Sequence, residues 1–222
     1  MGLGKIMMMA KKKIAKKVAK KKTCTKKKEA KKTETAKKKA KPSSSGPKKE
    51  LINSVFAKER VVAEKSDASR NLYNQSRFGT LLGSGELQFS LIEALFLLEK
   101  GKIIVKEGRK QLKFDKLLKL AEELEPQLWT RYCVFKDLRT RGYVVQTALK
   151  FGADFRVYGR GVKPGEDHAK WLVFSVSESQ GFTWYDFSAK TRVANSTKKR
   201  LLIAVVDREN DVTYYEIRWL RP

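Results

Sequence analysis

The chain has 222 residues, enough for one or two domains with a proper apolar core, and it carries 50 Lys and Arg against 24 Asp and Glu, a formal charge of +26. So basic a balance points to a polyanionic partner, nucleic acid first. Two cysteines and a single histidine exclude a disulfide framework, a zinc finger and a histidine-based metal centre; no metal or cofactor is expected, and a reducing, cytoplasmic setting fits the cysteine usage.

Residues 1–50 hold 20 lysines and no arginine against 3 glutamates. With so few large apolar side chains, burial cannot offset the entropy of ordering, which predicts a disordered Lys-rich tail. Such an arm would hold phosphates without sequence preference, and its grip would weaken steeply with salt. The segment PSSSGPKK closes it as a linker. The methionines at 7–9 offer alternative starts. Runs such as LIEALFLL and RLLIAVV reach only about half the length of a bilayer span, so no membrane segment is expected.

Folded sequence is predicted from residue 51, with 51–125 an N-terminal α+β domain and 126–222 a C-terminal domain. The stretch 61–82 mixes a short strand, a helix opened by Ser and Asp, and a glycine turn. Ser90 is placed to cap a helix with Glu93 as its capping-box partner. Leu91, Ala94, Leu95 and Leu98 then recur at helical spacing until Gly101. KIIV follows as a strand, a helix runs to about Glu125, and a second helix is expected from Pro126 in its first turn to Gly142.

From Tyr143 the pattern changes to strands. YVVQTAL, DFRVY, KWLVFSV, RLLIAVVD and VTYYEIRW are apolar or alternating and bounded by turn residues, with DFSAKTRVANST as a helix between the third and fourth. That order predicts a mixed sheet flanked by helices.

Three positions carry candidate chemistry. Tyr158 ends one strand and His168, the only histidine, opens the next. The Gly- and Pro-bearing loop 159–167 between them is expected only to set their separation. Loops held between strands are common sites of catalysis, yet a strand-end tyrosine also packs on its neighbours and a lone histidine also serves as a capping residue. Lys198 and Lys199 precede a core strand, and alternation sends their side chains to opposite sides. Spacing alone does not bring either lysine to Tyr158 and His168.

The blocks LYNQSRFGTLL, GELQFSLIEALFLLEKGKI, FKDLRTRGYVVQTALKFGADFRVY, HAKWLV and RVANSTKKRLLIAVVDRENDVTYYEIRW resemble, in order and spacing, the archaeal tRNA-intron (tRNA-splicing) endonuclease family. The resemblance covers residues from about 60 to 222 and leaves out the lysine tail.

The resemblance implies an α+β N-terminal domain followed by an α/β nuclease domain with a mixed central sheet, restriction-endonuclease-like in fold. It implies a catalytic triad of Tyr158, His168 and Lys199, acting as base, acid and electrostatic stabiliser in a metal-independent attack of the ribose 2′-hydroxyl on the adjacent phosphorus. The products would be a 2′,3′-cyclic phosphate and a 5′-hydroxyl. It further implies RNA-binding arginines at Arg192 and at Arg221 (or Arg218), and precursor tRNA with a bulge-helix-bulge as substrate. Self-association as a homotetramer would run through an acidic loop holding Asp207, Glu209 and Asp211. Two rivals remain open, a binding protein that does not cut and a metal-dependent nuclease. Against the second, Asp167 and Lys170 stand at the wrong spacing for a carboxylate followed by x-Lys.

Overall fold

The computed structural model describes residues 51–220, so the expectations about the lysine-rich tail and Arg221 fall outside the described residues. The N-terminal half runs β1 (Ile52–Ala57), β2 (Arg60–Ala63), α1 (Asp67–Ser76), β3 (Thr80–Leu81), β4 (Leu87–Phe89), α2 (Leu91–Glu99), β5 (Ile103–Glu107), β6 (Lys110–Leu112) and α3 (Phe114–Leu124). Its six strands form one sheet in the order β3-β4-β2-β1-β5-β6. Only β1 and β5 pair in parallel. β1 escapes a reading of hydrophobic pattern because Ser54 occupies a fully buried position; its hydroxyl is satisfied by the Ile104 carbonyl at 2.9 Å.

The Ser90–Glu93 capping box opens α2 as the sequence predicts. Glu93 reaches further, its second carboxylate oxygen accepting the Gly79 amide at 3.0 Å. Gly79 has φ +72°, and a Cβ there would lie 2.6 Å from the Gln88 carbonyl oxygen, so no other residue fits.

The C-terminal half consists of α4 (Leu128–Thr140), β7 (Val145–Ala148), a 3-10 turn, β8 (Ala153–Val157), β9 (Trp171–Ser177), α5 (Trp184–Ser196), β10 (Arg200–Val206) and β11 (Val212–Ile217). The strands order as β11-β10-β9-β8-β7, with β9 and β10 parallel and the other pairs antiparallel. Phe155, Val157, Val173, Ala204 and Val206 face α4 and join the main core. Leu172, Phe174, Leu201 and Ile203 face the other way and pack with Ala194 of α5. The expected mixed sheet flanked by helices is present.

Two helix starts differ from expectation. Gln127 is left-handed, with φ +66°, so α4 begins at Leu128 and Pro126 lies in the turn before it. Thr183 caps α5 through the Asp186 amide at 3.1 Å, so that helix begins two residues before Asp186.

One apolar cluster runs from Ile52 to Val206 and takes side chains from both sheets. Arg139 of α4 pins the halves together. Its guanidinium donates to the carbonyls of Ser76 at 2.9 Å, Arg77 at 3.1 Å and Val145 at 3.2 Å, and it lies 4.0 Å over the Phe78 ring. Burial lowers its pKa to about 10 against the opposing pull of Glu93. Nearby, Glu99 of α2 accepts from Tyr132 at 2.5 Å and Lys136 at 2.6 Å, both on α4. No described helix is long and apolar enough to cross a membrane.

Candidate active site

The backbone itself brings the three candidate segments together. The Lys170 amide donates to the Val157 carbonyl at 2.9 Å, and the Arg200 amide to the Lys170 carbonyl at 3.0 Å. Val157 precedes Tyr158, Lys170 follows His168 by two residues, and Arg200 follows Lys199. Two hydrogen bonds at the end of the central strands thus gather residues about forty positions apart.

Tyr158 is 5 % exposed. Its amide donates to the Val144 carbonyl at 3.0 Å, and its hydroxyl donates to Gln146 Oε1 at 3.1 Å. The phenol is thus neutral and already committed as a donor to Gln146. His168 is exposed, and its backbone amide donates to Asp167 Oδ1 at 2.6 Å.

Lys199 owes its place to the way α5 ends. The Lys198 amide donates to the Asn195 carbonyl at 3.0 Å and the Lys199 amide to the Ala194 carbonyl at 2.9 Å. That pair of bonds is the Schellman cap, which needs a left-handed residue just past the helix. α2 and α4 end in the same way and use Gly101 and Gly142 there; α5 uses Lys198, at φ +55°. A left-handed lysine costs about 1–2 kcal/mol relative to an ordinary conformation. The cap turns the half-buried Lys199 toward the cleft, its Nζ donating to the Thr197 carbonyl at 3.0 Å and lying 5.3 Å from the Phe151 ring centre.

Tyr158, His168 and Lys199 all line a single cavity of about 340 Å³, with Phe151, Arg156, Gly165, Glu166, Asp167 and Ala169 completing its wall. The loop 159–167 therefore does more than set a spacing, since its last three residues form one side of the cleft. Both carboxylates on that side are engaged: Glu166 Oε2 accepts the Lys163 amide at 3.2 Å and Asp167 the His168 amide. The wall also carries two cations, Lys199 and Arg156, which are the groups there suited to a phosphate. Among the described residues no group of three or more His, Cys, Asp and Glu gathers to hold a metal ion.

Arg192 lies exposed along α5 and does not line this cavity. Arg218 is tied to Glu216 at 2.8 Å and lines, with Trp219, a second small cavity that also reaches Lys199. In the turn between β10 and β11, Asp207 Oδ1 accepts the Glu209 and Asp211 amides, each at 2.9 Å, and Asn210 Oδ1 accepts the Trp129 indole N–H at 2.6 Å. Asp207 is thus spent on closing the loop, leaving Glu209 and Asp211 to present charge.

Two residues of the site went unnoticed in the sequence. Arg156 sits two places before Tyr158 on β8, and strand alternation alone puts both on one side. Gln146 carries no such signal: it reaches Tyr158 only because β7 pairs with β8 in the register Gln146↔Arg156.

A two-domain α+β chain with a tyrosine, a histidine and a lysine at the rim of a mixed sheet defines a class of enzyme-like clefts for anionic substrates. The family follows from comparison with known proteins. Residues 52–118 match the profile of the tRNA intron endonuclease N-terminal domain, and residues 128–214 that of the tRNA intron endonuclease catalytic C-terminal domain. The chain is 43% identical over 172 residues to a tRNA-splicing endonuclease of Thermococcus onnurineus, spanning 78% of this chain and 98% of that protein. It is 39% identical over 164 residues to one of Methanothermobacter thermautotrophicus, spanning 74% and 95%. With that of Nanoarchaeum equitans it shares 39% over 151 residues, spanning 65% and 97%. The chain belongs to the tRNA intron endonuclease family and carries both of its domains, the catalytic one included.

Proposed function

We propose that this chain is a tRNA-splicing endoribonuclease that excises introns from precursor tRNA at bulge-helix-bulge sites, with no metal in the reaction. The observation that carries the reading is the convergence of Tyr158, His168 and Lys199 on one cavity. In the reaction, Tyr158 acts as the phenolate: it takes the proton of the ribose 2′-hydroxyl and becomes the neutral phenol while the 2′-oxygen forms its bond to phosphorus. The P–O5′ bond breaks, and His168 gives its proton to the departing 5′-oxygen. Lys199 offsets the charge that builds on the phosphorane. The ends left are a 2′,3′-cyclic phosphate and a 5′-hydroxyl. That first step needs the phenolate form of Tyr158, beside which the Lys199 ammonium stands on the wall of the same cavity.

The catalytic half is read as restriction-endonuclease-like on its mixed sheet with α4 and α5 on opposite faces. Arg192, and Arg221 or Arg218 beyond β11, would stack on bases splayed from the bulges. Assembly as a homotetramer would use Glu209 and Asp211 as the charged tip of the loop closed by Asp207. Trp184 and Tyr185, each 83 % exposed, favour a self-associating chain, since neighbouring large aromatics rarely stay in water. Two cleavage sites fixed by assembly symmetry would select RNA by shape.

The test is cleavage of a precursor tRNA containing a bulge-helix-bulge by wild type and His168→Ala in excess EDTA, with end-group analysis. Cyclic phosphate and 5′-hydroxyl ends from the wild type, and their near-complete loss in the variant, are expected. Undiminished cutting by His168→Ala, or 3′-hydroxyl ends, would overturn the mechanism.

A further inference from the structure

The cleft also holds a guanidinium for which the three proposed catalytic residues leave no task. Arg156 projects from β8 on the same side as Tyr158, two residues away, a spacing of about 7 Å along a strand. It lines the same cavity as Tyr158, His168 and Lys199. Its Nε is buried without a hydrogen-bond partner, and no ion pair engages its guanidinium among the described residues.

That arrangement is costly for a protein alone. A half-buried guanidinium normally finds a carboxylate, because its desolvation is otherwise uncompensated. The two carboxylates on the cleft wall form no ion pair with it: Glu166 Oε2 accepts the Lys163 amide and Asp167 Oδ1 the His168 amide. The ammonium of Lys199 lines the same wall and adds repulsion between like charges. An anion in the cavity would relieve both penalties, and a phosphodiester has the geometry to do so: a planar guanidinium fork matches two nonbridging oxygens in a way that an ammonium does not. Arg156 also stands on a central strand, so it is pre-positioned with little entropy left to lose.

We propose that Arg156 binds the scissile phosphodiester through its nonbridging oxygens and holds the phosphorus in line between Tyr158 and His168. The inference rests on the reading of this cleft as an RNA-cleaving site. It divides the work of the cations: Arg156 orients the phosphate in the ground state and through the reaction, while Lys199 meets the added charge of the phosphorane.

The experiment uses the full chain and a bulge-helix-bulge RNA in two forms. The unmodified RNA reports single-turnover cleavage by wild type, Arg156→Ala, Arg156→Lys and His168→Ala. The second form carries a 2′-deoxy nucleotide at the splice site to block cutting, with an uncharged methylphosphonate at either the scissile or a flanking phosphate, and reports Kd. Arg156→Ala should cut about 10- to 100-fold more slowly, the scale of a lost hydrogen bond to a charged group, and Arg156→Lys should recover only part of that. Neutralising the scissile phosphate should erase the Kd difference between wild type and Arg156→Ala, while neutralising a flanking one should leave it. A Kd difference that survives at the scissile methylphosphonate would overturn the proposal. So would wild-type cleavage by Arg156→Ala, or a loss explained by a lowered melting temperature in both Arg156 variants. If His168→Ala still cuts, the reading of the cleft fails instead. If His168→Ala is inactive and Arg156→Ala is normal, only the role of Arg156 fails.

Discussion

The Tyr158 hydroxyl donates to Gln146 Oε1 at 3.1 Å, a bond between the residue just after β8 and one in the middle of the neighbouring edge strand β7. Gln146 also lines the groove between the two halves of the protein, among residues such as Gln88, Glu93, Phe135 and Phe155. The orientation of the proposed base is therefore set by a side chain that belongs to a different cavity.

Replacing Gln146 by Leu removes the acceptor while keeping the volume. Tyr158 then loses the partner that holds its ring and oxygen in place. Single-turnover cleavage should fall about tenfold, equivalent to roughly 1.4 kcal/mol, with KM for the RNA within about twofold of wild type. A rise in KM with no change in rate would mean that Gln146 serves binding instead.

The two adjacent lysines should separate cleanly. Lys199→Ala should cost about 10²–10³ in rate, the scale of a lost electrostatic stabiliser, with little change in melting. Lys198→Gly relieves a left-handed lysine and should raise stability by about 1 kcal/mol while leaving the rate within about threefold of wild type. Urea denaturation and single-turnover kinetics on both variants check this, and an inactive Lys198→Gly beside an active Lys199→Ala would reverse the assignment.

Arg139 supports the fold more than the chemistry. Arg139→Ala leaves the carbonyls of Ser76, Arg77 and Val145 without their donor and strips a cover from Phe78 and Phe135. A loss of about 3 kcal/mol is expected, within the range for breaking a buried charged network. The midpoint of urea unfolding measures it.

Acid should weaken the contact between α2 and α4. Burial pushes the Glu99 carboxyl upward, but the hydrogen bonds from Lys136 and Tyr132 outweigh it and hold the pKa below the ordinary value. A carboxyl lowered in the folded state contributes stability above its unfolded pKa of about 4.3 and loses it as pH falls through the folded value. Since the side chain is about a third exposed, solvent screening keeps the contribution small. Stability against pH should therefore fall less steeply below about pH 4.3 in Glu99→Gln than in wild type.

What was legible in the sequence followed from local rules or from resemblance. The Ser90–Glu93 cap and the Gly101 stop can be read from spacing, because each is satisfied within a few residues. The five C-terminal strands read as apolar or alternating runs bounded by turn residues. β1 does not, since buried Ser54 breaks its apolar face, and β3 has only two residues. For Tyr158, His168 and Lys199, residue types were visible but their meeting was not: it depends on the Val157, Lys170 and Arg200 backbone bonds. Pro126 misled because Gln127 takes the left-handed turn. Gln146 depended wholly on strand register, and Arg156 was overlooked although period-two alternation placed it beside Tyr158.

The apolar cluster that runs from Ile52 to Val206 has a thermodynamic meaning. Two homology domains that share one interior have no separate melting points, so heat or urea should unfold residues 51–220 in a single cooperative step. The catalytic half expressed alone would expose the α4 face of its own helix to water and aggregate. The N-terminal half, which contributes no wall to the candidate cavity, supplies the other side of the main apolar interior among the described residues.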